Sequence, residues 1–307
     1  MERAKLAVVV LALLAILLPL TPARPLAAPL ALLGGICLAV TWGNPFPSET
    51  RSWGRPLLQG SVVLLGLSVP IGTVLTAGRD GLVVSLLTVA STLGLGWILG
   101  RAIGVASGRA LLISVGTAIC GGSAIAAVAG ASDAPDEDVA VAAATVFGLN
   151  ALALLAFPPL GHALGMTPDA FGRWAGIAIH DVASVVGAAA AYDPRALEIA
   201  AAVKLSRVLF LIPIVLLVSL THRKPGKPPI PWFVGGFLLA SALGSFVPLG
   251  SFAPTIKAVA GAGFALALLG IGLGLSRESL RAVGPRPLAL GAALWVFVSV
   301  AGYFAVR

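Results

Sequence analysis

The chain has 307 residues, of which 58% are hydrophobic and only 10% are charged, and its mean hydropathy is +1.03. A soluble domain carries about 25% charged residues, so this composition excludes a soluble globular protein. The apolar residues form successive blocks of roughly 20, the length of a membrane-spanning helix, rather than the short alternating segments of a barrel. We therefore predict an all-α integral membrane protein.

The formal net charge is +8, but the cations are scattered between the apolar blocks instead of clustering on a face. In a membrane protein such cations act as topology signals, and we expect no nucleic-acid partner. The two cysteines, Cys37 and Cys120, both fall in apolar segments and form no disulfide framework, CxxC pair or zinc motif. We therefore expect no metal site and no cofactor, and the expected partner is the lipid bilayer.

Eleven apolar spans are predicted, separated by short loops in which Pro or Gly marks the helix ends. In chain order they cover residues 5–20, 27–42, 57–76, 81–99, 110–130, 137–160, 170–192, 196–220, 231–248, 253–275 and 287–306. No loop is long enough to house a soluble domain, so we predict one membrane domain. Span 1 is predicted to be retained, although Arg3, Lys5 and the apolar run after them also fit a cleavable signal peptide.

The distribution of cations predicts how the spans are oriented. With a cytoplasmic N-terminus, most of the 20 lysines and arginines lie in or beside inner loops, whereas the acidic stretch from Asp133 to Asp138 lies outside. Cytoplasmic loops carry an excess of Lys and Arg. The count therefore favours eleven spans and an external C-terminus.

The spans also divide into two similar halves. After an extra N-terminal helix in residues 1–26, residues 27–162 and 163–307 form five spans each, and the two halves begin on opposite sides of the membrane. Two five-helix halves of opposite topology are the signature of an inverted-repeat transporter.

In this repeat, span 5 pairs with span 10, and both are interrupted by glycines. The interruptions are Gly121 and Gly122 in span 5, and Gly261 and Gly263 in span 10. Glycine-interrupted spans at corresponding positions of two halves point to a binding site. We therefore predict two broken helices with the substrate site between them.

Polar residues from four spans lie at one predicted depth near the middle of the membrane. Ionisable groups in apolar sequence are expensive to bury, and their default interpretation is functional. These residues are Cys120 in span 5, Asn150 in span 6, His180 and Asp181 in span 7, and Lys204 and Arg207 in span 8.

Span 5 is predicted to break at Gly121-Gly122, because each Gly weakens a helix by about 1 kcal/mol relative to Ala. A broken helix exposes backbone N–H groups and a positive dipole end, which can hold an anion. The hydroxyls of Thr117 and Ser123 would be additional donors. Close helix packing through small residues is the alternative interpretation of this segment.

The pair His180-Asp181 is the predicted ion-coupling site, because His titrates near neutral pH and a buried carboxylate can bind a proton or a sodium ion. Lys204 and Arg207, three residues apart, face the same side of span 8. Two cations against one carboxylate leave a surplus positive charge that an anionic substrate could neutralise. The alternative is an internal salt bridge from Asp181 to Lys204 or Arg207 that locks spans 7 and 8 together.

Four stretches carry a family resemblance: GTAICGGSAIAAVAG in span 5, GIAIHDVASVVGAAAAY in span 7, VKLSRVLFLIPIV in span 8 and PWFVGGFLLASALGS in span 9. They resemble the YeiH family, a sulfate exporter family of transporters. The resemblance implies a bacterial inner-membrane transporter with the fold of bile-acid symporters and sodium/proton antiporters, an inverted repeat with two crossing broken helices.

The resemblance also carries over site positions. The family's Cys and Ser correspond to Cys120 and Ser123, its His-Asp pair to His180 and Asp181, and the Lys and Arg of its KLTR-like stretch to Lys204 and Arg207. The sequence departs from the family at Gly122, where Ala is more usual, and at Ser184, where Gln is common.

We predict a secondary active transporter, not an enzyme, that moves a small anion such as sulfate or an organosulfonate by an elevator-type alternating access, coupled to protons or sodium. His180 and Asp181 are assigned to ion coupling. The predicted substrate site consists of Thr117, Cys120, Gly121, Gly122, Ser123, Asn150, Ser184, Lys204, Arg207, Gly261 and Gly263.

Three other functions stay open. One is a monovalent cation/proton antiporter with Asp181 as the ion ligand. Another is an intramembrane enzyme with Cys120 and His180 as nucleophile and base. The third is a structural membrane subunit. A homodimer is compatible with the sequence.

Overall fold

The computed structural model describes residues 2–21, 23–221, 232–247, 249–275, 277, 281 and 283–307, and the regular elements among them are helices. The α-helices are α1 Glu2–Leu17, α2 Arg24–Thr41, α3 Pro47–Gly66, α4 Ile71–Ile103, α5 Ser107–Ala118, α6 Gly122–Ser132, α7 Asp136–Ala163, α8 Pro168–Ala178, α9 Val182–Tyr192, α10 Pro194–Val208, α11 Leu211–Thr221, α12 Trp232–Phe246, α13 Ala253–Gly274 and α14 Pro285–Val306. Short 3₁₀ turns occur at Leu18–Leu20 and Gly250–Phe252. Part of predicted span 9, at residues 231 and 248, lies outside the described residues.

The helices confirm an all-α membrane protein. Within the described ranges, 6 helices are long and apolar enough to cross a membrane, or up to 7 if the bent pair formed by α3 and the start of α4 is one span. Large apolar side chains cover the outside of the bundle, as at Leu220 (77% exposed) and Phe246 (83%). Such a surface is typical of a protein that contacts lipid. The count by length and composition is lower than the predicted eleven.

Span 5 is interrupted as predicted. Helix α5 ends at Ala118 and α6 begins at Gly122, with Gly121 at φ +65° between them. This positive φ is open to glycine and strained for other residues. The predicted break at Gly121-Gly122 is confirmed.

The two halves of span 5 fold back on each other instead of continuing in line. In line, the 12 residues of α5 and the 11 of α6 would extend about 34 Å, at 1.5 Å per residue. Instead, Nε of Arg109 at the start of α5 lies 2.6 Å from Oδ1 of Asp138 in the first turn of α7. A Cβ on Gly108 would lie 3.7 Å from the other oxygen of that carboxylate. Helices α5 and α6 therefore form a helical hairpin, named hairpin 1.

Span 7 is also a helical hairpin. Its break covers Ile179 to Asp181, between α8 and α9. Phe171 in the first turn of α8 stacks on Tyr192, the last residue of α9, with ring centroids 3.8 Å apart. Both ends of this element, named hairpin 2, therefore lie together. The prediction that spans 5 and 7 each run through the membrane is wrong, because long-range contacts return each chain segment to the side from which it entered.

The two hairpins enter the bundle from opposite ends of α7, whose 28 residues span about 42 Å. Hairpin 1 opens on the face where α7 begins, named the Asp136 face. Hairpin 2 opens on the face where α7 ends, named the Ala163 face, since His162 in its last turn stacks on Tyr192 at 4.2 Å. The tips of the two hairpins meet inside the bundle.

Span 10 has no interruption, because α13 is one continuous helix from Ala253 to Gly274. The predicted break at Gly261 and Gly263 is wrong. A Cβ on Gly261 would lie 3.5 Å from Cβ of Pro19, and one on Gly263 would collide with the hydroxyl of Ser61. Gly263 therefore allows close packing of α13 against α3, which is the usual use of small residues in membrane helices, whereas a side chain at Gly261 would make an ordinary contact. The second broken element is span 7, so the broken pair is spans 5 and 7.

The helices form two groups. The scaffold group consists of α1 to α3, α12 and α13, and the hairpin group consists of α4 to α11 and α14. Backbones within the scaffold group approach closely: a Cβ on Gly272 of α13 would lie 2.5 Å from the carbonyl oxygen of Leu32 in α2. The groups meet where α9 packs against α2 and α13, and where α12 packs against α4.

Candidate functional site at the hairpin tips

The two hairpin tips touch each other at Gly121 and Asp181. A Cβ on Gly121 would lie 3.1 Å from Cβ of Asp181, so a larger residue would press into the second tip. Ile119 in the first tip and His180 in the second are both fully buried. Irregular backbone at membrane depth is tolerated only where protein or a water-filled cavity surrounds it. Here the surrounding helices satisfy that requirement.

Helix α10 holds the tip of hairpin 1 with two cations. Nζ of Lys204 donates to the carbonyl of Ile119 at 3.3 Å, and Nη2 of Arg207 donates to the carbonyl of Ala118 at 2.5 Å. Nη1 of Arg207 also donates to the hydroxyl of Thr88 at 2.8 Å. The last carbonyls of a helix lack intrahelical partners and form its negative dipole end, so they favour these cations.

Helix α7 holds the tip of hairpin 2 with a neutral side chain. Oδ1 of Asn150 accepts a hydrogen bond from the backbone N–H of His180 at 2.9 Å. Helix α7 follows hairpin 1 along the chain, and α10 follows hairpin 2. Each long helix therefore holds the tip of the other hairpin.

Asp181 begins α9 and caps its N-terminus. Oδ1 accepts from the backbone N–H of Ser184 at 2.9 Å, and Oδ2 accepts from the Ser184 hydroxyl at 2.6 Å. The ion pairs formed by the described residues include none between Asp181 and Lys204 or Arg207. The alternative prediction of a salt bridge between spans 7 and 8 is therefore wrong. The local capping bond is what fixes this carboxylate.

A cavity of about 580 Å³ lies beside the two tips, between the hairpin group and the scaffold group. It extends toward the Asp136 face, where its wall includes Val139 in the first turn of α7, Pro47 at the start of α3 and Leu275 beyond the end of α13. Asn44, Thr50, Gln59, Phe147 and Phe233 also line it. Most of the other lining residues are apolar.

The N-terminus of α6 opens into this cavity through Gly122 and Ser123. No side chain of the described residues caps α6, whereas Asp181 caps α9. The N–H groups of Gly122 and Ser123 therefore have no side-chain acceptor in the described part of the chain, and the positive end of the α6 dipole points at the cavity. This arrangement suits the binding of an anion.

The structure brings most of the predicted site residues to the tips, but only some of them line the cavity. Those that line it are Cys120, Gly122, Ser123 and Asp181. The predicted residues that are buried around the tips without lining it are Thr117, Gly121, Asn150, His180, Ser184, Lys204 and Arg207. Gly261 and Gly263 lie away from the cavity, at the packing contacts of α13.

Several buried polar atoms around the tips have no hydrogen-bond partner among the described residues. They are Oγ1 of Thr117, Nδ2 of Asn150, Nε of Arg207 and both ring nitrogens of His180. The backbone carbonyl of Val146 lies near the imidazole, without hydrogen-bond geometry. The His180 ring is fully buried and does not line the cavity, and both of its nitrogens lack a partner among the described residues.

Sequence reasoning missed the cavity wall supplied by the scaffold group. Gln59 and Phe233 occupy ordinary positions in α3 and α12, and only their packing brings them to the wall of the cavity. Gln59 alone carried a signal, as an amide inside an apolar span.

Comparison with known proteins identifies the family. The model of a family described as conserved hypothetical protein 698 matches residues 4–291. A UPF0324 membrane protein of Bacteroides thetaiotaomicron is 42% identical over 276 residues, which cover 89% of this chain and 84% of the relative. UPF0324 membrane proteins of Geobacter sulfurreducens and Vibrio vulnificus are 42% identical over 278 residues (90% of each chain) and 40% identical over 292 residues (93% of each). No solved structure matches. The chain therefore belongs to this UPF0324 family of bacterial membrane proteins, which confirms the resemblance to the YeiH family.

Proposed function

We propose that the protein is a secondary active transporter of a small anion, such as sulfate or an organosulfonate, with its substrate site at the hairpin tips. One observation carries this proposal. The cavity contains the uncapped N-terminus of α6, directly beside a tip that two fully buried cations hold.

The charges around the tips favour an anion. Lys204 and Arg207 are both 0% exposed, and each is bound to a backbone carbonyl rather than to a carboxylate. Among the described residues that line the cavity, Asp181 is the one carboxylate, so the described residues place two cations against one anion around the tips. Burying an uncompensated charge costs several kcal/mol. An anion at the N-terminus of α6 offsets this cost.

Each tip residue has a role in the proposal. The N–H groups of Gly122 and Ser123, with the Ser123 hydroxyl, bind the anion, and Cys120 lies beside them. Lys204 and Arg207 bind the carbonyls of the tip. Their positive charges attract the anion from buried positions that do not line the cavity. His180 and Asp181 couple transport to protons or sodium.

We assign no catalytic step. A nucleophile and its base need a mutual hydrogen bond. His180 has none to Cys120, and it does not line the cavity.

The membrane topology follows from the hairpins. With spans 5 and 7 as re-entrant hairpins, nine spans of the predicted eleven cross the bilayer, and the halves 27–162 and 163–307 each contain one hairpin. We keep the orientation that the positive-inside rule predicts for a bacterial inner membrane. The N-terminus and the Asp136 face are then cytoplasmic, and the C-terminus is external. The cavity then opens inward, and alternating access moves the hairpin group against the scaffold group.

Transport in proteoliposomes tests this proposal. Labelled sulfate and labelled propane-1-sulfonate are offered to vesicles that contain the full-length protein, with and without a pH or sodium gradient. We expect flux above that of protein-free vesicles for at least one of the two anions, and acceleration by one gradient. Equal flux with and without protein, for both anions, would refute anion transport.

A monovalent cation/proton antiporter is the second candidate. Asp181 favours it, because this carboxylate lines the cavity and has no ion-pair partner among the described residues. Sodium- or potassium-driven proton movement that requires no anion and disappears in Asp181→Asn would support this candidate over the anion transporter.

A further inference from the structure

We infer that the cavity takes an organic zwitterion, with its acidic group at the N-terminus of α6 and its ammonium group at Asp181. This inference rests on the proposed transport function and narrows its substrate class; it assigns Asp181 to the substrate and leaves ion coupling to His180. Three properties of the cavity support it: its size, the unpaired carboxylate and the position of that carboxylate.

The size and lining of the cavity fit an organic body better than a bare inorganic oxyanion. Its volume of about 580 Å³ falls in the range of about 300–1,000 Å³ that holds drug-sized ligands. Its apolar wall includes Ile125, Phe147, Phe233 and Ile271. These side chains offer nothing to a fully polar ion such as sulfate, but they stabilise a carbon skeleton by excluding it from water.

The Asp181 carboxylate is available to a cationic group. It is only 4% exposed and lines the cavity, and no Lys or Arg side chain among the described residues reaches ion-pair distance. Each of its oxygens accepts one hydrogen bond, both from Ser184. A carboxylate offers about four acceptor positions, so about two are left for a ligand. A ligand ammonium group can donate charge-assisted hydrogen bonds to these remaining positions.

The position of Asp181 limits the distance between the two charged groups of the ligand. Asp181 touches Gly121, and Gly122 at the N-terminus of α6 is the next residue. The anion position and the carboxylate therefore lie side by side at the crossing of the tips. A ligand that reaches both needs only a few carbon atoms between its acid and its amine.

A set of ligands with one carbon skeleton tests this inference. The full-length protein in detergent is titrated by thermal shift with 3-aminopropane-1-sulfonate, propane-1-sulfonate, propylamine and sulfate. We expect the aminosulfonate to bind about tenfold or more tightly than propane-1-sulfonate, because a charge-assisted hydrogen bond to Asp181 is added. Propylamine should bind more weakly than the aminosulfonate.

Two variants show whether Asp181 causes the preference for the aminosulfonate over propane-1-sulfonate. In Asp181→Asn the affinity ratio of the two sulfonates should fall to about one, because the amide can still cap α9 through its oxygen but carries no charge. In the matched control Ser123→Ala, both sulfonates should weaken together and their ratio should stay unchanged. Binding of propane-1-sulfonate to each variant shows that the variant is folded.

The outcomes separate this inference from the proposed function. Equal or weaker binding of the aminosulfonate in the unmodified protein refutes the zwitterion and leaves anion transport standing. If no sulfonate and no sulfate binds, the proposed anion site fails as well. If propylamine binds as tightly as the aminosulfonate, the site recognises cations, and both proposals are wrong. If Asp181→Asn does not fold, the ratio in the unmodified protein still decides.

Discussion

Gly121 has a backbone conformation and a contact that both require the absence of a side chain. Its φ of +65° lies in a region that other residues rarely adopt, and its α-carbon packs against the second hairpin tip. Its N–H donates to the carbonyl of Gly116 at 2.9 Å, and its own carbonyl accepts from Ala124 and Ile125 at 3.1 Å. This one residue therefore lies in the break between α5 and α6, accepts the first hydrogen bonds of α6 and contacts hairpin 2.

We predict that Gly121→Ala destabilises the protein and reduces transport. The backbone strain alone costs about 1–3 kcal/mol, and the new methyl group would press on Asp181. The matched control is Gly130→Ala in α6, where a Cβ would meet nothing within 4 Å. It should be neutral or stabilise by up to about 1 kcal/mol. Thermal unfolding in detergent measures the stability of both variants. Equal melting temperatures for the two variants would contradict the assigned role of Gly121.

Single residues of the site could be predicted in part. Cys120, Gly122, Ser123 and Asp181 stood out because small polar or charged residues are unexpected in apolar spans, and all four line the cavity. The partners of the buried cations could not be predicted, because a sequence does not show which carbonyls a helix break leaves free. Lys204 and Arg207 take such carbonyls in hairpin 1, whereas the sequence predicted them as the surplus positive charge of the substrate site.

The elements show a second limit of sequence reasoning. The break in hairpin 1 was predictable from Gly121 and Gly122. The break in hairpin 2 contains no glycine and depends on the capping bond from Ser184 to Asp181, which uses residues that also occur inside helices. An apolar segment with a central break has the same composition whether it continues or turns back. Only contacts such as Phe171 with Tyr192 decide between the two.

An ion pair joins the open end of each hairpin to a neighbouring helix, and we predict that the two ion pairs contribute different amounts to stability. Arg109 pairs with Asp138 and Glu137 on α7, and Arg195 on α10 pairs with Asp169 on α8. The side chains of Arg109 and Asp138 are 23% and 15% exposed, against 69% and 41% for Arg195 and Asp169. Exposed pairs contribute little, because water and salt screen them.

Arg109→Gln should therefore lower the melting temperature by roughly 2 °C, whereas Arg195→Gln should have no measurable effect at moderate salt. The Arg195 guanidinium lowers the pKa of the Asp169 carboxyl, so any contribution of that pair is present above about pH 4 and is lost as the pH falls through the lowered value. A larger loss in Arg195→Gln than in Arg109→Gln at pH 7 would contradict this order.

At the scale of the whole molecule, the unit formed by α5 to α7 and the unit formed by α8 to α10 resemble each other in architecture more than in sequence. Helix α5 runs alongside α7, with Arg109 near Asp138 and Gly116 near Val146. Helix α8 runs alongside α10 in the same manner, with Gly172 near Ile199 and Gly176 near Val203. The two hairpin-and-helix units therefore have the same internal arrangement and enter from opposite faces. Such a pair can expose one central site to each side in turn.

The topology can be tested directly, because two hairpins and eleven crossing spans place the loops at positions 136 and 164 on different sides of the membrane. Single cysteines are introduced by Ser107→Cys, Asp136→Cys or Leu164→Cys into a chain in which Cys37 and Cys120 are replaced by alanine. All three positions are exposed in the structure.

With a cytoplasmic N-terminus and two hairpins, an impermeant maleimide added to intact cells should label Leu164→Cys and spare the other two. Eleven crossing spans predict the reverse for the last two positions: Asp136→Cys is labelled and Leu164→Cys is protected. Labelling of all three after lysis is the control for reactivity. The side shared by positions 107 and 136 decides for hairpin 1 even if the N-terminus faces outward, because a crossing span must separate them.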